Sequence, residues 1–140
     1  MKQLLLIFAL FCASYMTVNA QTNTWTGNAD TNWGTAANWS LNAVPTATND
    51  VIIPTGKTVN LNVAGTTKSI VLQGNSTLNI NNTLSFTNAS STAANATVNW
   101  GGASINGDGT LTNNGTLNMV GGTKSFGGAT VINNAGTINY

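Results

Sequence analysis

Five segments of this chain carry one theme: threonine, an aliphatic residue, asparagine, then a large apolar residue. They are KTVNL (57–61), STLNI (76–80), ATVNW (96–100), GTLNM (115–119) and GTINY (136–140). The aliphatic positions are Val59, Leu78, Val98, Leu117 and Ile138, so successive copies stand 19, 20, 19 and 21 residues apart. A second register agrees: TKSI (67–70) returns as TKSF (123–126), close to three repeats later. Self-similarity at this period is the mark of a stacked architecture, because one such unit cannot bury its own apolar face.

Within each copy apolar and polar residues alternate, the period of a half-buried strand. Val59, Leu61 and Val63 are expected to face one way, and Thr58, Asn60 and Asn62 the other. Further short strands are expected around Ile70–Leu72, Thr83–Phe86, Thr110–Thr112 and Thr130–Ile132. Gly74-Asn75, Gly101-Gly102, Gly107-Asp108-Gly109, Gly121-Gly122 and Gly127-Gly128 punctuate them as corners. Thr87–Asn95, a run of small polar residues, reads as a loop bulging from the stack. The chain is therefore expected to be all-β, a parallel β-helix (β-solenoid) with coils of about 20 residues. Thr77, Thr97 and Thr116 then form one outward column, and Asn79, Asn99 and Asn118 the next, with like residues about 4.8 Å apart. Such columns can solvate and stiffen the face, bind glycans, or bind ice.

Composition supports this reading. Only 5% of residues are charged, against about 25% in ordinary domains; Asn, Thr, Ser and Gly take their place. The first twenty residues read as a Sec-type signal peptide: Lys2, an apolar run from Leu4 to Phe11, and Val18-Asn19-Ala20 before the cut. The run falls short of the roughly 20 apolar residues a spanning helix needs, so no membrane span is expected after cleavage. Export to the cell exterior or outer surface is the expected destination. Cys12 leaves with the signal, and the mature chain has no disulfide. Lys57, Lys68 and Lys124 then balance Asp30, Asp50 and Asp108. No basic patch remains to neutralise phosphates, so nucleic acid is an unfavourable partner.

Residues 21–56 lack the repeated theme and read as an N-terminal cap, with the repeats over 57–140 broken off inside a copy at the C-terminal end. Trp25-Thr26-Gly27, Asn32-Trp33, Asn38-Trp39-Ser40, Val44-Pro45, Asp50-Val51-Ile52-Ile53-Pro54 and Gly56 make up a pattern that resembles the start of secreted bacterial β-helix surface proteins. These are the autotransporter-associated β-strand repeat and haemagglutinin-like adhesin type, as in Bacteroidetes. The resemblance implies a right-handed parallel β-helix displayed outside the cell as part of an adhesin. Trp25, Trp33 and Trp39 have two readings: a lid over the first coil, or an aromatic platform for sugars.

Catalysis is not expected. Residues 21–140 hold no His, Glu, Arg or Cys and three Asp, where glycoside hydrolysis takes a pair of carboxylates. Asp108, between two glycines, reads as a turn residue. No metal or cofactor motif occurs. The expected role is a non-catalytic adhesin or stalk segment, whose partners are surface glycans or other cell-surface proteins, with self-association through an open C-terminal coil. The alternative is a carbohydrate-binding accessory module of a larger polysaccharide-degrading protein.

Overall fold

The computed structural model describes residues 20–140; the expected signal sequence before Ala20 lies outside the described residues. Three parallel sheets wrap around one interior. The six-stranded face holds β1 (Gln21–Thr24), β2 (Asn49–Ile53), β5 (Ser69–Leu72), β8 (Ser90–Thr92), β11 (Thr110–Asn113) and β14 (Val131–Asn134) in that order. The five-stranded face holds β3 (Thr58–Leu61), β6 (Thr77–Ile80), β9 (Thr97–Trp100), β12 (Thr116–Met119) and β15 (Thr137–Asn139). The four-stranded face holds β4 (Gly65–Thr67), β7 (Leu84–Phe86), β10 (Ser104–Asn106) and β13 (Ser125–Phe126). Each coil lays one strand on each face, so a strand's neighbour in space is the strand one coil later. This is a β-solenoid of about four turns.

The register explains the repeat. Thr58 pairs with Thr77, Thr77 with Thr97, Thr97 with Thr116 and Thr116 with Thr137. Val59, Leu78, Val98, Leu117 and Ile138 follow one position on, and the first four of these are buried. Behind them Leu61, Ile80, Trp100 and Met119 form a second inward column. Period-2 alternation puts these residues inside and the Thr and Asn outside, and slipping by one residue would invert both faces. Hence the spacing is held to one coil length wherever this face runs.

Two local expectations are corrected. Val63 does not continue the inward row: β3 stops at Leu61, the Asn62 N–H donates to the Asn60 carbonyl, and Val63 is 40% exposed. Thr87–Asn95 is not a bulge, because it contains β8, which pairs with β5 and β11. Its inward residues are Ser90 and Thr92, both buried. They are tolerated inside because each is hydrogen-bonded: Ser90 Oγ accepts the Ile70 N–H at 3.0 Å, and Thr92 Oγ1 accepts the Asn114 and Gly115 N–H groups at 3.1 Å.

These bonds mark a change in coil shape. From the six- to the five-stranded face the earlier coils run Ile53 to Thr58, Leu72 to Thr77 and Thr92 to Thr97, whereas the next run only Asn113 to Thr116 and Asn134 to Thr137. The shortened corner leaves backbone groups without ladder partners, and side chains of the buried column supply them. Thr92 Oγ1 donates to Asn113 Oδ1, and Asn113 Nδ2 donates to Asn134 Oδ1 at 2.7 Å and to the Thr137 carbonyl at 3.2 Å. Ile53 and Leu72 fill the same column in the coils with longer corners.

The N-terminal segment is itself an enlarged coil. Gln21 pairs with Asn49 and Asn32 with Asn60, both 28 residues apart. Residues 36–48, opening with a short 3-10 turn at Ala36–Asn38, contain the excess over a normal coil and cover its end.

Candidate functional site: the closed end and the ladder face

Trp25 follows β1, and its N–H donates to the Ile52 carbonyl, which seats its side chain above Ile53. The Trp33 N–H donates to the Asn60 carbonyl and seats Trp33 above Leu61. Trp39 lies against both, edge to face, with centroids 4.9 Å from Trp25 and 4.7 Å from Trp33; its indole N–H donates to the Trp33 carbonyl at 2.8 Å. Gly65 makes room for the trio. Its column continues as Leu84 and Ile105, but a Cβ at Gly65 would stand 3.2 Å from the Trp33 ring and 2.6 Å from Leu61 Cδ1.

Trp25, Trp33 and Trp39 are 2%, 0% and 2% exposed. No ring face is open for a sugar to stack on, and the packing fits the lid reading. Two buried asparagines fasten that lid, and nothing in the repeat pattern points to them. Asn23 faces inward from β1, donating to the Ala43 carbonyl and accepting the Leu41 N–H. Asn38 Oδ1 accepts the Ala29 and Asp30 N–H groups, and its amide donates to Asp30 Oδ1 at 2.6 Å.

Asp30 is the exposed counterpart of that hub. The backbone N–H of Asn32, then the Asn38 amide, hold its carboxyl below the ordinary value of 3.8. Because the folded value lies below the unfolded one, its stabilisation is complete above the unfolded value and fades as pH falls through the folded one. Asp30→Asn should therefore lower the melting temperature at neutral pH, with the difference from the parent shrinking on acidification. A difference independent of pH would contradict this assignment.

On the five-stranded face the outward asparagines form a continuous amide ladder. Asn79 donates to Asn60 at 2.7 Å, Asn99 to Asn79 at 2.7 Å, Asn118 to Asn99 at 2.8 Å and Asn139 to Asn118 at 2.7 Å. Asn60 in turn donates to Thr31 Oγ1 at 2.8 Å, so the lid terminates the ladder. All donors point toward the N-terminal end, an alignment in which each bond polarises the next. Thr77, Thr97 and Thr116 form the parallel column, half-exposed; among the described residues no protein group hydrogen-bonds their hydroxyls. The outward Thr and Asn positions of this face are uncharged and regularly spaced. Asn99→Leu removes two rungs at once and is expected to lower stability by about 1–2 kcal/mol in urea unfolding. No change in midpoint would mean that the ladder is decorative.

The charged residues lie elsewhere, each engaged in structure. Lys57 donates to the Thr26 carbonyl at 2.9 Å, and Lys124 to the carbonyls of Val120, Gly121 and Gly122. Asp50 accepts from Ser69 at 2.6 Å and stands 3.7 Å from Lys68. Asp108 accepts the Ala129 N–H at 3.1 Å, as a turn residue does. An open cleft of about 260 Å³ lies beside Lys68, lined by Ala20, Ala47, Thr48, Thr87 and Asn88. Among the described residues no three His, Cys, Asp or Glu side chains gather to hold a metal, and no helix is long and apolar enough to cross a membrane.

A family model described as a domain of unknown function (DUF8693) matches residues 24–129, spanning the lid and the coils through β13. No curated protein and no solved structure matches the chain.

Proposed function

Since the chain belongs to the DUF8693 family, whose description assigns no activity, we propose from the geometry that it is a non-catalytic, exported β-solenoid serving as a rigid stalk or adhesive segment at the cell surface. The observation that carries this reading is the uninterrupted Asn60–Asn139 ladder beside its Thr column. It stiffens the stack along its length and presents one repeating uncharged surface. The engagement of all six charged side chains of residues 21–140 in turns, pairs and caps supports the absence of catalysis; Lys68, which borders the cleft, is paired with Asp50. The signal-like segment 1–20 supports export.

The test has two arms. Antibody against residues 21–140 should label intact cells, and the purified chain should leave neutral and acidic polysaccharides uncleaved. Labelling only after permeabilisation, or measurable turnover, overturns the proposal.

A second reading has one observation in its favour: the free hydroxyls of Thr77, Thr97 and Thr116 offer a row of donors and acceptors to a neutral glycan, as a carbohydrate-binding accessory module would. Binding on a glycan array that disappears in the Thr77→Val, Thr97→Val, Thr116→Val triple variant, with the fold intact, would select it. Thermal hysteresis in place of glycan binding would instead assign the row to ice.

A further inference from the structure

The chain has two Asn-Gly sequences, Asn106-Gly107 and Asn114-Gly115, and the hydrogen bonding of their reacting groups is opposite. We propose that Asn106 is a site of spontaneous deamidation in the folded protein, and that the coil-shortening corner protects Asn114.

The reaction is intramolecular. The Gly107 backbone nitrogen attacks the Asn106 side-chain carbonyl carbon, a five-membered succinimide closes, and ammonia leaves. Water then opens the ring at either carbonyl, giving aspartate or isoaspartate. The net change is asparagine plus water to aspartate plus ammonia. Glycine at the following position favours the attack because no side chain shields the nitrogen. The attacking N–H must also be free, and the backbone must be able to rotate.

At Asn114 both requirements fail. The Gly115 N–H donates to Thr92 Oγ1 at 3.1 Å, and the Asn114 amide, the leaving group, donates to the Thr92 carbonyl at 2.9 Å. Gly115 is buried, with the Ala93 and Ala96 carbonyls over its Cα. At Asn106 neither group is held: among the described residues no hydrogen bond engages its amide or the Gly107 N–H. Asn106 is the last residue of β10, and Gly107 has already left the ladder with φ at +109°. The Asn106 side chain lies against Gly127, where a Cβ would stand 2.5 Å from its oxygen; the Phe86 carbonyl crowds the Gly107 Cα as the Ala93 and Ala96 carbonyls crowd Gly115, so the contrast between the two sites is one of hydrogen bonding. The ladder asparagines are shielded differently: Asn60, Asn79, Asn99 and Asn118 are followed by Leu61, Ile80, Trp100 and Met119, whose bulk hinders attack.

The product puts a second carboxylate two residues from Asp108, and the isoaspartate form adds an atom to the backbone at a tight corner. The modified form is an acidic isoform with a loosened turn ahead of β11.

The experiment is peptide mapping by mass spectrometry after incubating the folded chain at mildly alkaline pH, with isoaspartate detection. Deamidation at Asn106 is expected to exceed that at Asn114 by about tenfold or more, and the two rates should converge in denaturant, where local protection is lost. Thr92→Val, which removes the bond to the Gly115 N–H, should raise the rate at Asn114 alone. Where that variant fails to fold, the folded and denatured parent chains still decide. Equal rates in the folded state, or an inert Asn106 that reacts only in denaturant, would overturn the proposal.

Discussion

Trp33→Ala is expected to lower stability by about 3–5 kcal/mol, the range for deleting a buried aromatic side chain. The residue is fully buried, stacks above Leu61, abuts Gly65 and carries Trp39 on its edge. Its removal empties the closed end of the stack, and no side chain at position 65 can fill the space. Because the Trp33 and Asn60 N–H groups tie the enlarged coil to β3 through the Asn60 and Thr31 carbonyls, the loss should also raise amide exchange across residues 21–48. Trp33→Phe should cost less, since the indole N–H is buried without a partner and its removal sacrifices no bond. Urea unfolding with hydrogen exchange measures both. A change below about 1 kcal/mol for the alanine variant would put it among ordinary substitutions and deny the lid any role in holding the stack.

Gly115→Ala is the second large effect, about 3 kcal/mol or more, at the upper end of overpacking penalties. An added methyl at Gly115 meets the Ala93 and Ala96 backbone carbonyls. Carbonyls cannot swing aside as side chains can, so the corner from Asn113 to Thr116 must open. Opening it strains the Thr92 and Asn113 bonds that satisfy the corner. Gly74→Ala is the matched control: no atom lies within 4 Å of its added carbon, and its effect should stay within about 0.5 kcal/mol. Equal effects at the two glycines would contradict the proposed role of the corner.

The stack is readable from the chain because the five-stranded face writes the same four residues at every coil, two inward and apolar, two outward and polar. The other faces are less explicit. β8 carries Ser90 and Thr92 inward, so a hydrophobic pattern passes over it; their partners lie a coil away and cannot be seen locally. Val63 misleads in the opposite sense, an apolar residue placed at a corner after the strand has ended. Of the candidate site, the Thr and Asn columns follow from period alone, and the tryptophans stand out by their number. Their direction is not readable, since the same cluster serves a lid or a platform until Gly65 shows where the rings go. Asn23 leaves no signal, because an asparagine that fastens a lid resembles any other in a chain rich in them; Asn38 stands in the Asn38-Trp39-Ser40 motif, which does not tell its role.

Lid, ladder and corner all depend on residues one coil apart lying over one another, and methyl-to-methyl proximity in solution is the sharpest probe of that stacking. In nuclear Overhauser spectra of methyl-labelled chain, Leu78 should show cross-peaks to Val98, and Val98 to Leu117, across a rung of about 4.8 Å, while Leu78 and Leu117, two rungs apart, give a far weaker peak or none. Absence of both neighbour contacts in the folded protein would refute the stack, and with it the ladder, the lid and the role proposed for them.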